Sequence, residues 1–99
     1  LSKFALAQFD SSNQVLNLTR QKFFPVTDNF SMGLGWSLIK SESGAIWNWH
    51  NGGTGGYTSS MILDTKAKNG VIVLSNISAL GELTSEIPGL ASELMKSLE

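Results

Sequence analysis

The only histidine of the chain stands immediately before a run rich in glycine. His50 is followed by Asn51-Gly52-Gly53-Thr54-Gly55-Gly56. Histidine can work as a cation or as a neutral N–H donor. Glycine lets a backbone come close to another group, because it has no Cβ. These residue types suit a site where a substrate lies against the backbone, although an isolated histidine at a strand end is usually a surface or hydrogen-bonded residue and glycine pairs are most often turns.

A second pattern, Ser37-Leu38-Ile39-Lys40, has the spacing of a serine nucleophile and its lysine. That chemistry needs both side chains on one face, which a spacing of three residues gives on a helix. The apolar residues here alternate with a period of two, so Ser37 and Lys40 are expected on opposite faces of a strand. We therefore do not interpret this match as a nucleophile motif.

The elements that must position these residues follow from the spacing of apolar side chains. Residues 2–10 and 14–21 have the spacing of short helices, and an irregular connection is expected around Pro25 and Asp28-Asn29. Alternation of apolar residues then predicts four antiparallel strands, at residues 33–40, 45–50, 57–64 and 71–75. The last strand is apolar at four consecutive positions, which is typical of a central strand covered on both faces.

Turns and a terminal helix complete the expected fold. Hairpin turns are predicted at residues 41–44 and 66–70, with Asn69-Gly70 as the sharpest signal. A helix is predicted over residues 86–98, with Pro88 in its first turn. Its apolar stripe would be Ile87, Leu90, Leu94 and Leu98, and the expected core tryptophans are Trp36, Trp47 and Trp49. The fold class is therefore α+β, an antiparallel sheet of about four strands flanked by N-terminal and C-terminal helices.

Three segments occur in a characteristic order: Gly33-Leu34-Gly35-Trp36, then Trp49-His50-Asn51-Gly52-Gly53-Thr54-Gly55-Gly56-Tyr57, then Val71-Ile72-Val73-Leu74-Ser75-Asn76. Together they resemble the C-terminal part of class C-type beta-lactamases, a broad family that includes penicillin-binding carboxypeptidases, esterases and D-aminopeptidases. The resemblance covers most of the chain and is strongest from Gly33 to Asn76. It implies that residues 1–99 form a single partial domain, a fragment of the beta-lactamase and transpeptidase-like fold.

The resemblance also implies roles for the glycine-rich run. In the family a Ser-x-x-Lys turn, a Tyr-x-Asn or Ser-x-Asn loop and a Lys-Thr-Gly strand meet at one site. His50-Asn51-Gly52 stands at the Lys-Thr-Gly position, which is familiar among esterase-like members and counts against beta-lactam hydrolysis in particular. His50 would then be catalytic, with the N–H of Gly53 as one oxyanion donor. Asn51, Gly52 and Thr54 would contact the substrate.

The function expected from the resemblance is that of a segment of a serine hydrolase. The whole enzyme would transfer an acyl group from a peptide, a beta-lactam or a small ester through a covalent serine ester. Apart from the match at Ser37–Lys40, which lies on a predicted strand, the 99 residues contain no nucleophile motif. They begin at Leu1 without methionine, so we expect a piece of a longer product that is inactive alone. The family is often periplasmic or otherwise extracytoplasmic in bacteria.

Two other interpretations remain open at this point. The chain could be a degenerate, non-catalytic member of the family, used for binding or scaffolding, which the absence of Ser-x-x-Lys and Tyr-x-Asn upstream would reveal. It could also be an unrelated small interaction domain with a coincidental glycine loop. That last interpretation predicts that His50 and Gly53 do not lie together at an exposed cleft edge.

Composition narrows the possible partners. The chain has no cysteine and one histidine, which excludes thiol catalysis and a histidine-rich zinc site, so no metal and no cofactor are expected. Its net charge is −1 and its basic residues are scattered, so we do not expect nucleic acid as a partner. No apolar run reaches the roughly 20 residues of a membrane span. The expected partners are the substrate and the remainder of the same protein, or a second copy bound through an exposed sheet face.

Overall fold

The computed structural model describes residues 1–99 as an α+β domain with a six-stranded antiparallel sheet and three α-helices. The helices are α1 (Ser2–Gln8), α2 (Gln14–Thr19) and α3 (Glu86–Ser97), with a short 3-10 helix at Glu82–Ser85 before α3. The strands are β1 (Phe24–Thr27), β2 (Phe30–Met32), β3 (Ser37–Lys40), β4 (Ile46–Gly53), β5 (Thr58–Asp64) and β6 (Asn69–Ser75). None of the helices is both long and apolar enough to cross a membrane.

The sheet is a meander in which each strand pairs with the next along the chain, in the order β1 to β6. The prediction of four strands was too low, because the expected irregular connection forms the β1–β2 hairpin. There Phe24 pairs with Met32 and Pro25 pairs with Ser31. A proline cannot donate to a ladder, which confines it to edge strands or irregular positions. Pro25 satisfies this rule, since β1 is the first edge of the sheet.

The second edge of the sheet is β6, although the run from Val71 to Leu74 predicted a central strand. β6 pairs only with β5, from Thr58↔Ser75 to Asp64↔Asn69. The side chain of Leu74 is 67% exposed. An apolar strand without alternation thus lies at an edge, where its outer backbone groups have no partner strand.

Several boundaries differ from the prediction because local turn chemistry decided them. β3 begins at Ser37, and the expected strand start around Leu34 is a turn in which Gly35 has a φ of 79°. Asn69 and Gly70 belong to β6, whereas the preceding turn is built by Asp64, whose carboxylate accepts the N–H groups of Lys66 and Ala67. An aspartate that binds the backbone two and three residues on is a turn former in its own right.

The glycines at the end of β4 also differ from the prediction, because they pair regularly. Gly52 pairs with Ser59 and Gly53 pairs with Thr58, so the strand extends three residues beyond His50. The predicted hairpin turn at residues 41–44 is confirmed, with Gly44 at a φ of 89° as its left-handed residue. β4 is thus the longest strand, and it carries His50 in its middle.

One face of the sheet packs against α1. Its buried cluster contains Ala5 of α1 with Trp36, Leu38, Met61 and Leu63. These side chains share a face because residues on a strand alternate between the two faces. The cluster includes only one residue of α1, so this helix covers the sheet lightly and leaves room beside it.

The opposite face packs against α3 through Ile87, Ala91 and Met95. Ala91 and Met95 join Trp47 and Ile62 in one buried cluster. Of the predicted stripe only Ile87 is buried. The spacing of apolar residues allows either of two neighbouring faces of α3 to pack, and the face that carries Ala91 packs closer to the sheet. The three leucines of the predicted stripe, Leu90, Leu94 and Leu98, are 42% to 49% exposed.

The tryptophans largely behave as predicted. Trp36 and Trp47 are buried, at 5% and 3% exposure, whereas Trp49 is partly buried against the α3 cluster. The core is small, however: 16 of the 99 residues are buried, and seventeen large hydrophobic side chains are exposed.

Candidate functional site

The last third of β4 forms an open edge within the sheet. β3 pairs with β4 only from Ile46 to Trp49, whereas β5 pairs with β4 as far as Gly53. The segment His50–Gly53 therefore has a partner strand on one side only. We call this segment the open edge of β4. It contains four of the five residues expected at the site.

At the open edge, the backbone N–H groups of Asn51 and Gly53 point away from β5. The N–H of Thr54 donates to the carbonyl oxygen of Tyr57 at 2.8 Å, so Thr54 faces β5. The carbonyl oxygen of Ala45, at the other end, accepts from Ser41 on the β3 side. Because alternate residues of an antiparallel strand address opposite neighbours, both bonds direct Asn51 and Gly53 away from β5. Neither N–H donates to a loop or to a side chain.

His50 projects from the open edge toward the face that carries α1. Its side chain is exposed and makes no hydrogen bond to protein. It lines a cavity of about 480 Å³ together with Gly52, Ser59 and Met61. An imidazole without protein partners can offer both ring nitrogens to a ligand.

Asn51 lies next to His50 in sequence but projects from the opposite face. Its carboxamide oxygen accepts hydrogen bonds from the indole Nε1 of Trp49 and from the hydroxyl of Ser60, both at 2.6 Å. Ser60 is buried, at 1% exposure. The oxygen of Asn51 is therefore engaged by the protein, and the groups that Asn51 can offer to a ligand at the open edge are its side-chain NH₂ and its backbone N–H.

Both glycines of the open edge have a close neighbour where a Cβ would lie, and neither has a left-handed backbone conformation. A Cβ on Gly52 would lie 2.9 Å from the hydroxyl of Ser59, and a Cβ on Gly53 would lie 2.5 Å from the Cβ of Ala79. The loop after β6 thus crosses directly over Gly53. Only glycine at this position allows both the loop and the free N–H.

Thr54 closes the hairpin after β4. Its hydroxyl oxygen accepts the N–H groups of Gly56 and Tyr57 at 3.2 and 3.1 Å, and its carbonyl oxygen accepts the N–H of Ala79 at 2.9 Å. The residue predicted to contact a substrate therefore uses its hydroxyl oxygen in the turn. Its interactions fix the end of the open edge and the loop above it.

No serine in the chain has the surroundings of a nucleophile. No serine hydroxyl makes a hydrogen bond with a lysine or with His50. Ser37 and Lys40 lie at the two ends of β3, where their spacing places them on opposite faces. The hydroxyl of Ser37 points to the sulfur of Met32, at 3.9 Å. No group of three acidic or histidine side chains could hold a metal ion.

Sequence reasoning missed three residues of this region. Ser59 and Ser60 flank the site on β5, opposite Gly52 and Asn51, and their only sequence signal was their place on a strand after the glycines. Gln8 of α1 lines the same cavity as His50, and a single glutamine on a short apolar helix gives no signal of its own.

Comparison of the chain with models of protein families, with curated proteins and with solved structures gives no match in any of the three searches.

Proposed function

We propose that this chain is the C-terminal segment of a serine hydrolase of the beta-lactamase-like type. Its contribution to that enzyme is the strand against which the substrate lies, together with one oxyanion donor. The observation that supports this most directly is the open edge of β4. There the N–H of Gly53 points away from β5, and His50 is exposed in the same four-residue segment.

The reaction proposed for the whole enzyme is acyl transfer. A serine supplied by a segment outside these 99 residues attacks the substrate carbonyl, and its proton passes to a base of the same segment. The N–H of Gly53 and the N–H of that serine stabilise the negative charge that develops on the carbonyl oxygen. The leaving group departs with a proton, and water then releases the acyl group from the serine ester.

His50 acts at the other end of the open edge. His50 and Gly53 are three residues apart, which is roughly 10 Å along a strand. His50 therefore serves as a donor to a polar group of the substrate, such as a carboxylate, or joins the proton network of the site. A substrate of this length with an extended backbone can also pair with the outward N–H of Asn51. This favours peptide-like substrates over beta-lactams.

A non-catalytic binding module is the second candidate, and one observation favours it. The side-chain oxygen of Asn51 is held by Trp49 and Ser60, so the residue at this family position does not present that atom to a ligand. In that case the open edge of β4 would still bind an extended peptide, but no serine would be acylated.

A fluorophosphonate probe tests the proposal. The longer product that contains the chain and the 99-residue chain itself are each incubated with the probe, and their intact masses are recorded. We expect one adduct on the longer product, mapped upstream of Leu1, and none on the chain alone. A folded longer product that stays unlabelled would favour the binding module, and an adduct at Ser37 would show that the site has been misplaced.

Two variants of the longer product sharpen this test. His50→Ala should slow acylation by about a hundredfold or more, as expected for loss of an acid–base group. Tyr57→Ala is the matched control, because Tyr57 is 68% exposed, lies close in sequence and makes no side-chain hydrogen bond. Equal rates for the two variants would remove His50 from the reaction.

A further inference from the structure

The cavity beside His50 lies between the two short helices and the sheet. Its volume of about 480 Å³ is within the range of small-molecule sites. Phe4 and Trp36 line it, and their rings stack with centroids 6.3 Å apart and an angle of 12° between planes. Met61 and Ile72 of the sheet add aliphatic surface. The wall is therefore suited to an aromatic ring or a branched apolar group.

One polar side chain in this wall is buried and incompletely bonded. Gln8 is 1% exposed, and its carboxamide oxygen accepts a hydrogen bond from the guanidinium of Arg20. An arginine side chain only donates, so the atom facing Arg20 must be the oxygen of the amide. The amide nitrogen of Gln8 is left buried without any acceptor.

A buried N–H without an acceptor is rare in folded proteins and calls for a partner. A water molecule at this place would find few further partners among apolar side chains, and buried waters normally make about three hydrogen bonds. The nitrogen is closed off from the cavity as the side chain stands, so the amide of Gln8 must turn toward the cavity to meet a ligand oxygen. A ligand oxygen attached to an apolar body would then satisfy this amide and also cover the stacked rings. His50, which is exposed on the same cavity, gives the outer end a second polar contact.

We propose that this cavity is a binding site for a small aromatic or branched apolar molecule that carries a carbonyl or carboxylate oxygen, with that oxygen bound by Gln8. Binding itself does not depend on the proposed hydrolase activity. The identification of this molecule with the acyl part of the substrate does rest on the proposed function. Under that identification, the substrate is an ester or amide whose ring-sized acyl group carries a second oxygen for Gln8, while the N–H of Gly53 binds the oxygen of the carbonyl that is attacked.

Titration of the ¹⁵N-labelled chain with 3-phenylpropionate, followed by NMR, tests the site. We expect saturable shifts of the Gln8 side-chain amide and of the Trp36 indole N–H. 3-Phenylpropylamine is a matched ligand with a similar body whose ammonium group cannot accept a hydrogen bond. It should bind at least about tenfold more weakly, as expected for one buried hydrogen bond left unmade. Equal binding of the two ligands would overturn the role of Gln8.

Surface variants test the place of the site without disturbing the core. Leu34 lies at the rim of the cavity and is 50% exposed, so Leu34→Glu should weaken binding of 3-phenylpropionate about threefold to tenfold through lost apolar contact and repulsion. Leu74→Glu is the control, because Leu74 is 67% exposed and lies outside the cavity. No saturable shift in the unmodified chain, or equal affinity in the two variants, would overturn the proposal.

The outcomes also separate this proposal from the proposed function. Saturable binding together with an unlabelled longer product would retain the cavity as a ligand site and remove the hydrolase. Labelling of the longer product without binding of 3-phenylpropionate would leave the hydrolase and overturn the cavity site.

Discussion

The hydroxyl of Ser60 donates a 2.6 Å hydrogen bond to the carboxamide oxygen of Asn51, across the pair of strands that ends in the open edge of β4. The two residues are directly opposite in the strand register. Trp49 donates to the same oxygen from two residues earlier. This group of three side chains stabilises the open edge from the face opposite to His50.

Replacement of Asn51 should therefore cost stability. In Asn51→Ala the buried hydroxyl of Ser60 loses its acceptor, which should lower the free energy of unfolding by about 1–3 kcal/mol. Asn76→Ala is the matched control, because Asn76 is exposed in the loop after β6 and its side chain makes no hydrogen bond. Urea denaturation measures both variants. A loss of stability no greater than in the control would show that Asn51 does not hold the edge.

Gly53 should tolerate no larger residue while Ala79 remains opposite. A Cβ at position 53 meets the Cβ of Ala79 at 2.5 Å, so Gly53→Ala should destabilise the chain by about 1–3 kcal/mol through overpacking. Gly55→Ala is the control, because nothing lies within 4 Å of its added Cβ. Thermal unfolding should show recovery in the double variant Gly53→Ala with Ala79→Gly, and absence of recovery would place the strain elsewhere.

The orientation of α3 can be tested on two adjacent residues. Met95 is 1% exposed and Leu94 is 42% exposed. Met95→Ala should cost about 2–5 kcal/mol of unfolding free energy, as for other buried large-to-small changes, whereas Leu94→Ala should cost much less. Chemical denaturation compares the two, and the reverse order would restore the leucine stripe as the packed face.

The carboxyl of Asp10 gives a prediction for pH dependence. Hydrogen bonds from the hydroxyl of Ser12 at 2.6 Å and from its N–H at 2.9 Å hold the pKa of Asp10 below its ordinary value. The associated stability is therefore present above the ordinary pKa of the unfolded chain, and it is lost as the pH falls through the lower pKa of the folded chain.

An NMR titration of the Asp10 side-chain carbon should place its midpoint below that of an unfolded peptide. Ser12→Ala removes the largest contribution, so the pKa of Asp10 should rise toward its ordinary value. An unchanged midpoint in Ser12→Ala would assign the shift to another cause. Ser11→Ala is the control, because Ser11 is a neighbour that makes no hydrogen bond to this carboxylate.

The sequence predicted best those features that depend on periodicity. Alternation around Trp47 and Trp49 identified β4, and the β3 assignment placed Ser37 and Lys40 apart. Features that depend on contacts between distant residues were missed. The β1–β2 hairpin forms because β2 pairs with β3, and neither its short strands nor Pro25 carries a strand signal strong enough to show this.

For the site, the sequence identified the segment but not the direction of its groups. His50 and Gly53 both lie on the open edge of β4, at its two ends, and His50 alone of the two lines the cavity beside α1. The open edge of β4 has no partner strand on the β3 side because β3 begins only at Ser37. The turn at Gly35 sets this starting point. The carboxamide oxygen of Asn51 is bound by Ser60, nine residues away along the chain. The carboxamide oxygen of Gln8 is bound by Arg20, twelve residues away, and this leaves the amide nitrogen of Gln8 without a partner.

The two outer strands of the sheet differ in a way that governs behaviour in concentrated solution. β1 carries Pro25 at its edge, which blocks the addition of another strand. β6 offers a seven-residue edge with four consecutive apolar side chains and neither charge nor proline, which is the composition of segments that nucleate cross-β assembly. Aggregation of the chain should therefore increase steeply with concentration, and Leu74→Lys, which changes the exposed apolar side chain of β6, should suppress it.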